Sequence, residues 1–143
     1  MKLWTKVAFV MMFVPLVASA QFRDLDAAMS NLDRGFGSGD VQAIVAGVGS
    51  ADQVNLQFPG LVDQTGFFGR DQAAYLLDKL FNKVSPSGFE RVSARKVSAE
   101  NQYHITARWN IAVGGRTETR DLYITLRNKD DRWSVVSVRA AGK

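Results

Sequence analysis

The chain has 143 residues, 46% of them hydrophobic, and carries eighteen basic residues against fourteen acidic ones for a net charge of +4. That length suits one ordinary domain with a single core, and the lack of cysteine excludes disulfides, thiol catalysis and cysteine-based metal sites. Setting Lys2 and Lys6 aside leaves sixteen basic residues and a net charge of +2, spread among the acids, which argues against a nucleic-acid partner.

Residues 1–20 begin with Lys2 and Lys6, continue with an almost wholly apolar run over 7–17 and close on Ala18-Ser19-Ala20. A basic start, a short apolar run and an Ala-x-Ala site form the pattern of a secretory signal peptide. The apolar run is too short to span a bilayer comfortably. The expected product is therefore residues 21–143, exported to the periplasm or secreted, with no stable membrane anchor after cleavage.

Phe22, Leu25, Met29, Leu32 and Phe36 recur at helical spacing, which predicts an amphipathic helix over 22–36. Gly35, Gly37 and Gly39 are expected to stop it. Asp40 then reads as the N-cap of a short helix over 41–46. Val54, Leu56 and Phe58 alternate with Asn55 and Gln57, a half-buried strand closed by a Pro59-Gly60 turn. The chain turns at Gly66, with Phe67 and Phe68 expected to pack back as a staple. A helix over 70–84 follows, capped at Gly69. Ala73, Leu76, Leu77, Leu80, Phe81 and Val84 form its apolar stripe, and Ser85-Pro86 is expected to end it.

The remainder reads as strand. Residues 90–99 alternate weakly, which predicts an edge strand or a bulge. Over 103–113, Tyr103, Ile105, Ala107, Trp109, Ile111 and Val113 share one face, with His104, Thr106, Arg108 and Asn110 on the other. Gly114-Gly115 is a hairpin signal. The next strand, 116–127, turns Leu122, Ile124 and Leu126 inward, and 128–131 form a polar turn. The last strand, 133–140, is expected to place Val136, Val138 and Ala140 inside and Trp133, Val135, Ser137 and Arg139 outside.

The order α-α-β-α-β-β-β-β gives an α+β fold, a curved antiparallel sheet wrapped around a long helix. Three stretches resemble the nuclear-transport-factor-2-like superfamily, a cystatin-like α+β cone. They are Gly37-Ser38-Gly39-Asp40 before the second helix, Leu56-Gln57-Phe58 followed by Gly66-Phe67-Phe68-Gly69-Arg70-Asp71-Gln72-Ala73, and Leu76-Leu77-Asp78-Lys79-Leu80-Phe81 running into Ser85-Pro86. Within that superfamily the chain is most similar to a family of small exported bacterial proteins of unknown function. The resemblance implies a pocket inside the cone, where isomerases and dehydratases of the superfamily use Asp, His or Tyr. It also implies dimerisation through the sheet.

No enzyme residue of the superfamily carries over to a matching position. The inward strand faces offer Tyr103 as their ionisable group. Pocket candidates are Phe58, Phe67, Phe68, Tyr103 and Trp109. His104, the one histidine, is expected on the outer face beside Arg108 and Asp121, as a solvated residue rather than a metal ligand. Asp63 and Asp71 are weighed as a carboxylate pair and read instead as a loop residue and a helix-dipole partner. Ser85, Ser87 and Ser98 have no histidine beside them in sequence, so nucleophilic catalysis has no support. No cofactor or metal is expected.

The outer face carries the interface candidates Arg108, Asp121, Tyr123, Trp133, Val135 and Arg139, because Tyr, Trp and Arg are enriched at interfaces. The leading expectation is an exported, non-enzymatic binding module for an unknown protein or small molecule, a homodimer included. The alternative is a small-molecule enzyme or carrier using the cone pocket.

Overall fold

The computed structural model describes residues 24–142. The expected leader over 1–20, the cleavage site and Phe22 lie outside the described residues.

Helix α1 is Leu25–Ser38, opened by Asp24, whose carboxylate accepts from the Asp26 N–H at 2.9 Å. It buries Ala28, Met29, Leu32, Gly35 and Phe36. Of the three glycines expected to end it, Gly35 and Gly37 are helical. Gly39 alone closes the helix, at φ 76°, a left-handed angle that suits glycine. Gly35 is there for space rather than for breaking. A Cβ on it would overlap Cγ1 of Ile44 in helix α2, Val41–Val45. Asp40 caps α2 as expected, accepting from the Ala43 N–H at 3.2 Å.

This close approach carries a prediction. Gly35→Ala gains helix propensity but forces a methyl into a filled contact, so a net loss of about 1–3 kcal/mol is expected. Urea denaturation checks it, and a stabilised variant would show that the two helices separate freely.

Strand β1 is Gln53–Gln57, with Val54 and Leu56 buried. The Gly-Phe-Phe-Gly stretch expected as a turn is a short strand, β2, Gly66–Gly69, paired antiparallel to β1. The pairs Val54↔Phe68 and Asn55↔Phe67 decide where each ring goes. Phe68 shares the inward face with Val54, while Phe67 points outward and is 65% exposed. Phe67 therefore lies outside the core and the cone interior, because side chains alternate along a strand.

Helix α3 is Arg70–Lys83, with the Gly69 N–H bonded to Oε1 of Gln72 at 3.2 Å. Ala73, Leu76, Leu77 and Leu80 are buried and Phe81 packs at their side, as the stripe requires. The helix ends one residue earlier than expected. Val84 is already extended and begins strand β3, Val84–Val97, with no turn between. Pro86 is accommodated because β3 is an edge strand with a bulge next to it. A second bulge lies between Arg91 and Ser93, so the expected edge-and-bulge stretch is found, in a longer strand.

A 3-10 turn, Ser98–Glu100, leads into β4, Gln102–Val113, β5, Arg116–Lys129, and β6, Arg132–Ala140. Two-residue turns at Gly114-Gly115 and Asp130-Asp131, all at positive φ, match the twist of the strands they join. Asn128 and Lys129, expected in the turn, belong to β5. The sheet runs β2-β1-β6-β5-β4-β3, antiparallel except where β1 meets β6.

One irregularity changes the surface. Thr125 pairs with Ser137, but Leu126 pairs with Val135, so Val136 is an extra residue in β6. A bulge of one residue inverts the facing of everything before it. Trp133 and Val135, expected on the outer face, point into the core and are 9% and 3% exposed. Val136, expected inside, is only half-buried. Ser137, Val138, Arg139 and Ala140 lie past the bulge and face as expected.

Candidate functional site

The inside of the cone is filled by rings. Phe58 and Trp109 are buried with centroids 6.2 Å apart. Phe36 stacks on Phe89 at 5.8 Å and meets Trp109 edge-on at 5.7 Å, and Phe81 meets Trp109 at 6.3 Å. The Trp109 indole N–H donates to the Phe36 carbonyl at 2.9 Å. Phe58 and Trp109 thus pack against each other and line no open space. Tyr103 stands apart, edge-on to Trp133 at 5.8 Å. The five expected pocket residues are not brought together.

Two ionisable groups inside the cone were missed. Arg120 and Glu118 of β5 point inward, with side chains 4% and 17% exposed and Nε to Oε1 at 3.0 Å. Arg120 also donates to the carbonyls of Pro59 and Ala141. The signal was present in the alternation of Leu122, Ile124 and Leu126, which continues backward to these two positions. Their bonding joins the turn after β1 and the chain after β6 to β5. All of these groups are committed to one another.

Asp71 and Asp63 are exposed on helix and loop, and Ser85, Ser87 and Ser98 are exposed as well. Among the described residues, no three His, Asp or Glu side chains are grouped to hold a metal ion. A shallow groove of 370 Å³ runs along the outside of α3, lined by Phe68, Asp71, Gln72, Tyr75, Leu76 and Lys79. Tyr75 is largely exposed there, with the Lys79 ammonium 5.6 Å from its ring centre. Of the expected pocket residues, Phe68 lines this groove.

The outer face of the sheet is organised by register. One row across four strands reads Arg95, His104, Thr125, Ser137, and the next reads Ser93, Thr106, Tyr123, Arg139. A third row holds Glu90, Arg108 and Asp121, with Arg108 bonded to Glu90 at 3.3 Å. His104 therefore neighbours Arg95 and Thr125 rather than Arg108 and Asp121, and its Nε2 lies 2.9 Å from Oε1 of Gln102. Arg139 covers the ring of Tyr123 at 4.6 Å. Arg108, Asp121, Tyr123 and Arg139 are on this face as expected, without Trp133 and Val135.

Residues 29–140 match the family described as a domain of unknown function, DUF4783. The chain belongs to that family. No curated protein matches it. Among solved structures, the DUF4783 chain is similar to a family member from Bacteroides fragilis at 18% identity and a TM-score of 0.64, over 79% of this chain and 96% of that one. It is similar to a protein from Catenulispora acidiphila with a ketosteroid isomerase-like fold, crystallised in complex with trimethylamine. That match has 10% identity and a TM-score of 0.62, over 81% and 85% of the two chains. A designed protein of the nuclear-transport-factor-2 type matches at 18% identity and 0.59, over 82% of this chain and all of that one. At these identities the likeness is one of fold, the α+β cone that the resemblance implied. Among the described residues, no helix is long and apolar enough to cross a membrane.

Proposed function

We propose that this DUF4783 protein is an exported binding module, without catalytic turnover of its own, that works through the outer face of its sheet. One observation carries the reading: the cone holds packed rings where an enzyme of this fold needs space, and the buried Arg120 is bonded to Glu118. Export rests on the leader pattern over 1–20.

The outer face presents Arg95, Arg108 and Arg139 against Glu90 and Asp121. A second copy would set these cations against each other around a two-fold axis. A partner that carries negative charge suits the face better. The exported protein is accordingly expected to start at Gln21 by intact mass and to be monomeric by light scattering at micromolar concentration. A product that keeps residues 1–20 would sink the export reading. A dimer broken by Tyr123→Glu would assign the face to a second copy.

The α3 groove favours a second reading, a carrier of small apolar molecules, because Phe68, Tyr75 and Leu76 border it together. Its shallow, open form along the outside of one helix makes it the weaker of the two.

A further inference from the structure

We propose that the depression between Arg95 and Arg139 on the outer face binds the oxyanion headgroup of a small molecule, a phosphate or a carboxylate. The inference rests on the outer face being the working surface and names the ligand class that it takes.

The depression is 300 Å³ in volume, and its polar walls come from four strands: Arg95, His104, Thr106, Thr125, Ser137 and Arg139 among them. These side chains offer two guanidinium groups, an imidazole and three hydroxyls, and no carboxylate borders it. The nearest acids on the face, Glu90 and Asp121, stand in the next row on either side of Arg108.

The arginines elsewhere show that this is not the general condition of the molecule. Arg34, Arg91, Arg108 and Arg120 each hold a carboxylate at 3.0–3.3 Å. Among the described residues, Arg95 and Arg139 are in no ion pair. Arg139 instead lies over Tyr123. Such a contact fixes the guanidinium plane and leaves its N–H edge for a planar or tetrahedral oxyanion.

The register explains why these groups meet. β3 and β6 are separated by two strands and the two arginines stand in adjacent rows, so the backbones of Arg95 and Arg139 are about 16 Å apart at the usual strand spacing and rise. Two arginine side chains reach into that gap from opposite sides, over a floor of threonine and serine. The bulge at Val136 contributes too, because it puts the bulky Trp133 and Val135 on the inner face. A gap of this width suits a headgroup with a body attached better than a bare ion.

The test uses three probes that share one body: glucose 6-phosphate, glucuronate and glucose. Titration calorimetry at low salt, with amide shifts at Thr106, Tyr123 and Thr125, reads binding. At least one of the two anions is expected to bind and glucose is not, and the stronger anion identifies phosphate or carboxylate. Arg95→Gln and Arg139→Gln should each weaken binding roughly tenfold, the loss of one charge-assisted contact. Arg127→Gln removes the same charge from the same face outside the depression, and should change affinity less than about twofold. No binding of either anion up to roughly 10 mM would overturn the inference. So would an equal loss in Arg127→Gln, which would mean diffuse attraction. Light scattering on the same samples separates this from the broader reading. A monomer that binds no anion loses the ligand only, whereas a dimer broken by Tyr123→Glu loses both.

Discussion

Trp109→Ala is expected to cost at least about 3–5 kcal/mol, a large fraction of the stability of a domain this size. The indole is fully buried and touches Phe36, Phe58 and Phe81, from α1, the end of β1 and α3. Truncation removes contacts to three elements at once, and rings held by so many partners cannot collapse into the hole. A second term is polar. Phe36 lies in the last turn of α1, where carbonyls have no partner within the helix. The Trp109 N–H supplies one at 2.9 Å. Trp109→Phe keeps most of the ring and removes this donor, so it should cost about 1–3 kcal/mol. Lys79→Ala, on the exposed side of α3, should stay within about 0.5 kcal/mol. Chemical denaturation of the three variants ranks them. A Trp109→Ala loss no greater than that of Lys79→Ala would mean that the cone holds space around the indole.

The same residues show what a sequence can and cannot reveal here. The stripe of α3 was legible because Ala73, Leu76, Leu77 and Leu80 repeat at one period, and burial follows that period directly. The capping of α2 by Asp40 was legible because capping is local chemistry. Gly35 misled, because a glycine that yields space to Ile44 is indistinguishable in sequence from one that breaks a helix. β2 was hidden by its length, since Gly-Phe-Phe-Gly is too short to show alternation. The bulge at Val136 was hidden for a different reason. Val135 and Val136 are both apolar, so either could face inward, and the pairing with Leu126 makes the choice. That single slip moved Trp133 from the outer face to the core. The candidate anion site was out of reach altogether. Arg95 meets His104 only after β3 has absorbed two bulges against β4, and no local pattern counts those.

Arg120→Met should also be strongly destabilising, by about 3–5 kcal/mol, if the cation holds the fold together rather than receiving a ligand. Its side chain is 4% exposed and bonds Glu118, the Pro59 carbonyl and the Ala141 carbonyl. Methionine keeps the packing of the aliphatic stem and loses the polar bonds of the guanidinium. What remains is a carboxylate deprived of its cation, and two main-chain oxygens deprived of a donor, in a place that water reaches poorly. Glu118→Gln is the informative companion. An amide oxygen still accepts from Arg120, and the residue is more exposed, so the expected loss is smaller, about 1–2 kcal/mol. The order Arg120→Met well above Glu118→Gln distinguishes a clamp on three elements from a simple ion pair, in which both changes would cost alike. An Arg120→Met variant within about 0.5 kcal/mol of the wild type would contradict the clamp. It would also leave a buried cation with no structural purpose, and the interior of the cone would again be a place to look for a ligand.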